Sequence, residues 1–539
     1  MKQNNETDIV HDRPYFQIIG GDVLSYECII PYSNTSLFIG DIIVVEDKLK
    51  GFRFYARIIN MHQGFGNQSI GSSNKVQEAI GVDEVTKDKT LCSGTFLPYL
   101  RVEALAIGYI DASGRFFRPR TIPAPLSPVL LPTKVDFAFL QNLMGDLEIG
   151  FLKTGSEVYQ DVTVRIPSPV LNQHMGVFAT TGMGKSNFMK VFCASCIKKR
   201  SCGLLLIDPH GEYISGVPGL GINSRKGLID CPDSDKGLVV YSIRTDSLPM
   251  SDTIRHLWLD YNDFRIEDLE LLFALSSSQW EVIESLRNFT GGEILHFFLS
   301  RNVDELPTRQ RLTTFIGDLE VVADKIKPFP IDVLRLIQRL ILALLQANQK
   351  FFREEGSSVS EIITHLKENR VVLIDIPEMT EKSELFILSV LTRAILAEYK
   401  ENSGDSQAIM GNTSSPQVLI TIEEAQRVLS PGRSGQDLFR EVAMEGRKFG
   451  VGLCVITQQP KNIDTRVLAQ MNTFIVMGLA DEQDRETIAG SAKHDLRRLD
   501  VEIQTLDRGD AIISSVGIPF PMSTRIHLFE EYISGDYSS

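Results

Sequence analysis

The sequence predicts an α/β fold built on a mostly parallel sheet, interrupted by a helical insertion and preceded by a small β-rich domain. Three observations carry this reading. The apolar runs GLLLIDPHGEY, RVVLIDIPE, QVLITIEEAQ, VGLCVITQQP and TFIVMGL read as strands buried on both faces, as in parallel sheets. Helical stretches such as FMKVFCASCIKKR and SELFILSVLTRAILAEYKEN separate them, and such alternation specifies a parallel α/β sheet. Between residues 14 and about 117 the texture differs. FQIIGG, LSYECII, DIIVVED, FRFYARIINM, RVEALAIGYI and RFFRP are short β-branched and aromatic runs broken by turn residues, which suits a small barrel or sandwich.

The elements follow in order. A polar loop rich in Gly, Asn and Ser spans roughly Gly64 to Val85. Pro119, Pro123, Pro125, Pro128 and Pro132 crowd one segment. That density resists helix and central strand alike, so it reads as an extended linker, with a boundary near residue 133. The N-terminal domain is therefore 1–133 and the α/β domain 134–539. Within the latter, 250–367 carries apolar residues at helical spacing and reads as an insertion. Residues from about 500 to 539 read as a C-terminal extension.

Composition narrows the class. The chain has 539 residues, enough for two to four domains, and 43% are hydrophobic, which supports a large core. The net charge of −14 means that any nucleic-acid contacts must be concentrated in a local patch such as a channel. Seven scattered cysteines do not make a disulfide framework. Cys193 and Cys196, at i and i+3 of a helix, read as packing thiols because no second ligand pair stands nearby. The polar N-terminus and the lack of any 18-residue apolar run point to the cytoplasm and away from a membrane.

The chemistry concentrates in four segments. ATTGMGKS, Ala179 to Ser186, joins the strand MGVFA to a helix, the context a P-loop requires. Gly182 and Gly184 let backbone N–H groups approach phosphates, and the helix N-terminus adds a favourable dipole. Lys185 is placed to reach the β- and γ-phosphates of ATP, and Ser186 to put its hydroxyl on Mg²⁺. The nucleotide set is Thr181, Gly182, Met183, Gly184, Lys185, Ser186 and Asn187. Ala179 stands where the motif has its first glycine.

In VLITIEEAQ, residues 418–426, Glu423 is assigned to the Mg²⁺ shell and Glu424 to the attacking water as general base. A solvated acidic pair at a strand end is the bland alternative. In DPHGEY, Asp208 and Glu212 either face the nucleotide from a strand's carboxyl end or merely form a turn. EVAMEGRKFGVGLCVITQQP, residues 441–460, ends a strand in Thr457, Gln458 and Gln459, where a polar side chain can hold the water or sense the γ-phosphate. Arg447 either supplies charge to a transition state or is a surface cation near a helix end. Lys198, Lys199 and Arg200 are a candidate DNA contact or a solvated helix end.

In combination, TGMGKSN, IDPHGEY, IEEAQRVL, EGRKFG and TQQP, in this order, resemble the HerA/FtsK class of P-loop ATPases, HerA most closely. The resemblance covers roughly residues 135–530. It implies a RecA-like core behind a HerA-type barrel, and a homo-hexameric ring that moves double-stranded DNA with ATP and Mg²⁺. It also implies that an arginine completes the neighbouring subunit's site; Arg447 occupies the matching segment, with Arg440 as second candidate. Gln458 matches the expected γ-phosphate sensor. Gln173-His174 stands where the family often has Arg-His, and Gln426 where it has histidine. HerA-like proteins pair with nucleases or NAD-hydrolysing effectors, the bacterial ones in antiphage defence. Beside the DNA motor stands a second implied role, a ring-shaped scaffold that regulates such an effector. A membrane-tethered pump is disfavoured by the lack of an apolar anchor.

Overall fold

The computed structural model describes residues 16–31, 36–65, 98–214, 226–244, 251–299, 322, 325, 329–406, 417–432, 435 and 437–535. The polar loop expected at 64–85 lies almost wholly outside the described residues.

The N-terminal strands are β1 (Phe16–Gly21), β2 (Ser25–Pro31), β3 (Ile42–Asp47), β4 (Phe52–Phe65), β5 (Pro98–Ile110), β6 (Phe116–Phe117) and β7 (Pro128–Leu130). They run β2-β1-β7-β3-β4-β5, and β5 returns to β2, closing an antiparallel barrel. Closure leaves no free edge among these six strands. Period-two patterning explains β3, whose alternating side chains serve two cores. Ile43 and Val45 fill the barrel with Phe54 and Val102. Ile42 and Val44 face outward and join the core of the second domain.

The proline-rich segment does more than link. Its residues 128–130 form β7, antiparallel to both β1 and β3, with Val129 fully buried. Pro128 is tolerated because it is the first residue of a three-residue strand, where a missing N–H costs least.

The second domain holds β8 (Leu147–Thr154), β9 (Glu157–Ile166), β10 (Met175–Phe178), β11 (Gly203–Asp208), β12 (Leu238–Ser242) and β13 (Ile254–His256). A small separate pair, β14 (Leu259–Asp260) and β15 (Phe352–Arg353), follows. Then come β16 (Val371–Asp375), β17 (Val418–Ile422), β18 (Val451–Thr457), β19 (Thr473–Val476), β20 (Asp510–Ser515) and β21 (Met522–Ile526). The large sheet has 12 strands in the order β13-β12-β16-β11-β17-β18-β10-β19-β20-β21-β8-β9. Pairing is parallel from β13 to β19 and antiparallel beyond. This is a RecA-like core with an antiparallel flank, and residues 510–526 of the expected C-terminal extension lie inside its sheet.

The central strands are buried on both faces, as their continuous apolar runs require. In β11, Leu204 and Leu206 pack on one side and Leu205 and Ile207 on the other. The main helices are α1 (Lys185–Lys199), α2 (Ser277–Leu286), α3 (Gly291–Leu299), α4 (Ile331–Asn348), α5 (Val359–Lys367), α6 (Glu381–Ser406) and α7 (Asp437–Glu445). Helices α2 to α5 lie in the stretch between β13 and β16, and their apolar residues extend one face's core. No helix among the described residues is long and apolar enough to cross a membrane.

Candidate nucleotide site

Strand β10 runs buried to Phe178 and delivers the glycine-rich turn at the sheet's carboxyl edge. Gly182 and Gly184 have φ of 85° and 107°, a region where side chains are strained, so both positions need glycine. Two anchors hold the turn. The Ala179 N–H donates to the Thr457 carbonyl at 3.4 Å, and the Thr180 hydroxyl donates to the Gly478 carbonyl at 2.8 Å. Ala179 is fully buried, so its methyl group points into the core and away from the phosphate cradle. Helix α1 starts at Lys185, aiming its unpaired N–H groups and dipole at the loop.

The acids stand two strands away, at the end of β17, with β18 between. Lys185 Nζ lies 3.5 Å from Glu424 Oε1. The same oxygen accepts from Gln458 Nε2 at 3.1 Å, and the Thr181 hydroxyl donates to Gln458 Oε1. Gln426 Nε2 donates to Glu424 Oε2 at 2.7 Å, and Gln426 Oε1 accepts the Thr457 hydroxyl at 2.7 Å. Glu424 has φ of 44°, a left-handed backbone that non-glycine residues rarely adopt outside functional turns. Burial raises the Glu424 carboxyl, but Gln426, the Lys185 charge and Gln458 outweigh it and hold the carboxyl below its ordinary range. Glu424 is thus an ionised acceptor poised beside the loop.

Glu423 differs from its neighbour. Burial pushes its carboxyl above the usual range, against the Tyr213 hydrogen bond and the Lys185 charge. The Tyr213 hydroxyl donates to Glu423 Oε1 at 2.9 Å, leaving the second oxygen for a ligand.

Two expected contacts turn out otherwise. Asp208, expected at the nucleotide, is engaged by protein backbone. It is fully buried, and its oxygens accept N–H groups of His210 (3.2 Å), Glu212 (3.2 Å) and Tyr213 (2.8 Å). Both oxygens accept from the turn, so Asp208 shapes the segment that presents Tyr213 to Glu423. Asn187 is likewise engaged elsewhere. Its side chain donates to the His527 carbonyl at 2.8 Å and accepts from the Phe529 N–H at 3.0 Å, clamping the C-terminal segment onto α1.

Arg447 is exposed in the turn Gly446–Phe449, just before β18. The strand that follows it, β18, ends at Thr457 beside the P-loop, so its seven residues put roughly 20 Å between Arg447 and this subunit's own loop. Arg447 therefore cannot serve its own site. Arg440 is held by the Ser430 carbonyl at 3.3 Å and lies 3.9 Å from Asp464. Gln173 and His174 sit at the amino end of β10, also away from the P-loop.

The Lys198 ammonium lies over the Tyr532 ring, and Arg200 donates to the Glu368 carbonyl. Cys193 and Cys196 are fully buried, and no group of three metal-ligating side chains occurs among the described residues. Sequence reasoning left Tyr213 without a role and treated Gln426 only as a replaced histidine. The polar residues ending DPHGEY and the Thr457 ahead of Gln458 were the available signals.

Residues 147–395 match the family described as helicase HerA, central domain. A probable helicase of Methanocaldococcus jannaschii is 22% identical over 501 residues, 89% of this chain and 88% of that protein. The DNA double-strand break repair helicase HerA of Pyrococcus furiosus is 25% identical over 433 residues, 73% of this chain and 72% of that protein. Among solved structures, the plasmid coupling protein TrwB in complex with an ATP analogue aligns over 68% of this chain and 87% of its own, with 14% identity and a TM-score of 0.45. The P-loop and the paired glutamates make this chain a P-loop ATPase, similar over residues 147–395 to the helicase HerA central domain.

Proposed function

We propose that the chain hydrolyses ATP to translocate along or unwind double-stranded DNA, as a homo-hexameric ring in the cytoplasm. The observation that carries this reading is Glu424, strained at φ 44° and held between Lys185 and Gln458 beside the P-loop. A carboxylate so placed takes the proton of an attacking water, while Lys185 and the α1 N-terminus neutralise phosphate charge. Gln458, tied to Thr181, reports the γ-phosphate to the loop. The donors suit Mg²⁺, which takes one or two protein oxygens beside substrate phosphates. Ser186 and the free oxygen of Glu423 would hold it, and the bound ion would neutralise phosphate charge. The remoteness of Arg447 from its own loop supports its service to a neighbouring subunit.

Duplex DNA should stimulate hydrolysis at low salt, with stimulation falling as salt rises. Hexamers that hydrolyse ATP without any response to DNA would overturn the DNA-motor reading.

A second reading is a ring-shaped scaffold that assembles and regulates a nuclease or NAD-hydrolysing effector of antiphage defence. The net charge of −14 and the exposed Ile19, Val23 and Leu24 around the β1–β2 hairpin favour a protein-docking role for the barrel. Native mass spectrometry of the chain co-expressed with its genomic neighbour separates the two readings.

A further inference from the structure

We infer that the nucleoside half of the nucleotide lies against the loop at residues 505–509, and that Arg525 is the side chain that reads it. This rests on the nucleotide reading above. Sheet order sets the direction. Glu424 and Gln458 stand at β17 and β18, on one side of β10, so the γ-phosphate faces them. The α-phosphate, ribose and base must then leave on the other side, towards β19 and β20.

The first wall on that side is the turn before β20. The Gly509 N–H donates to the Met183 carbonyl at 3.0 Å, joining the turn to the P-loop itself. A Cβ on Gly184 would stand 3.7 Å from Gly509 Cα, so the turn lies within one side-chain atom of the P-loop backbone. The Ile526 N–H donates to the Gly509 carbonyl at 2.9 Å, which ties the turn to β21.

Arg525 is the cross-strand partner of Asp510 in the β20–β21 ladder. Its Nη1 lies 2.9 Å from Asp510 Oδ1 and donates to the Arg508 carbonyl at 2.9 Å. A Cβ on Gly509 would meet the same nitrogen at 3.3 Å, so the guanidinium lies over the turn. Asp510 is fully buried, and Lys153 holds its Oδ2 at 2.5 Å. A buried carboxylate needs such cations, and in return it fixes where Arg525 stands. The Arg525 side chain is nevertheless 42% exposed. A planar guanidinium fixed at one edge can stack on a base or donate to ribose and α-phosphate oxygens.

Affinities of the full chain for ATP and for inorganic tripolyphosphate, measured by calorimetry with Mg²⁺, test this. The wild type should bind ATP more tightly than tripolyphosphate. Arg525→Ala should weaken ATP about tenfold and erase that preference, and Arg525→Lys should fall between. Equal weakening of both ligands, or unchanged ATP affinity in a variant whose melting curve shows it folded, would overturn the assignment. A wild type that binds neither ligand would instead defeat the nucleotide reading itself.

Discussion

Gln426 is held by the Thr457 hydroxyl and itself holds Glu424, so two 2.7 Å hydrogen bonds set the angle of one carboxylate. Removing the amide frees Glu424 Oε2 while leaving Lys185 and Gln458 on Oε1. Gln426→Ala should therefore lower kcat roughly ten- to a hundredfold and leave KM for ATP within about twofold, because orientation and not ground-state binding is lost. Steady-state kinetics decide it; a KM rising in proportion would mean that Gln426 supports the nucleotide instead.

Lys185 and Glu424 touch each other but act on different partners. Lys185→Ala should abolish turnover together with nucleotide binding. Glu424→Gln should abolish turnover and keep ATP binding, since the carboxylate acts on water. Equilibrium binding of a fluorescent ATP analogue distinguishes the two variants.

The distance along β18 makes a claim about assembly. Arg447→Ala should lose hydrolysis as a homomer. Mixed with Lys185→Ala subunits it should regain part, because some interfaces then join an intact loop to an intact arginine. Subunit titration measures this, and properly mixed rings without rescue would make Arg447 a structural residue.

The barrel and the ATPase core share a buried ion pair. Arg57, 2% exposed, lies 3.6 Å from Glu502 and donates to the Pro521 carbonyl at 2.6 Å. Arg57→Ala strands the Glu502 carboxylate and should destabilise the joint by about 3–5 kcal/mol. Arg57→Met with Glu502→Met should recover most of that, read as the first unfolding midpoint in thermal scans.

His174 carries a pH dependence. Its Nδ1 accepts the Leu453 N–H at 3.0 Å, and burial pushes its pKa down to about 4 from 6.5. The unfolded chain then binds the extra proton between those values. Stability is complete above pH 6.5 and is lost as pH falls towards 4, by about 3 kcal/mol in all. His174→Asn should flatten that part of the melting-temperature profile relative to wild type.

The sequence alone determined the parallel half of the sheet, because strands buried on both faces print themselves as unbroken apolar runs. GLLLID, VVLID, VLITI and VGLCVIT are β11, β16, β17 and β18. It also determined the P-loop, whose glycines are dictated by local backbone conformation at Gly182 and Gly184. Tertiary structure decided what depends on distant partners. The antiparallel flank of β8, β9, β20 and β21 joins segments more than 300 residues apart, and no local pattern announces which strands will meet. β7 was hidden in prolines because only barrel closure makes a strand of it. Asp208 and Asn187 carry residue types suited to a nucleotide site, yet backbone N–H and C=O groups folded against them claimed their polar atoms first. Glu424 was legible as an acid at a strand end. Its strained backbone and the grip of Gln426, Gln458 and Lys185 exist only once three chain segments converge.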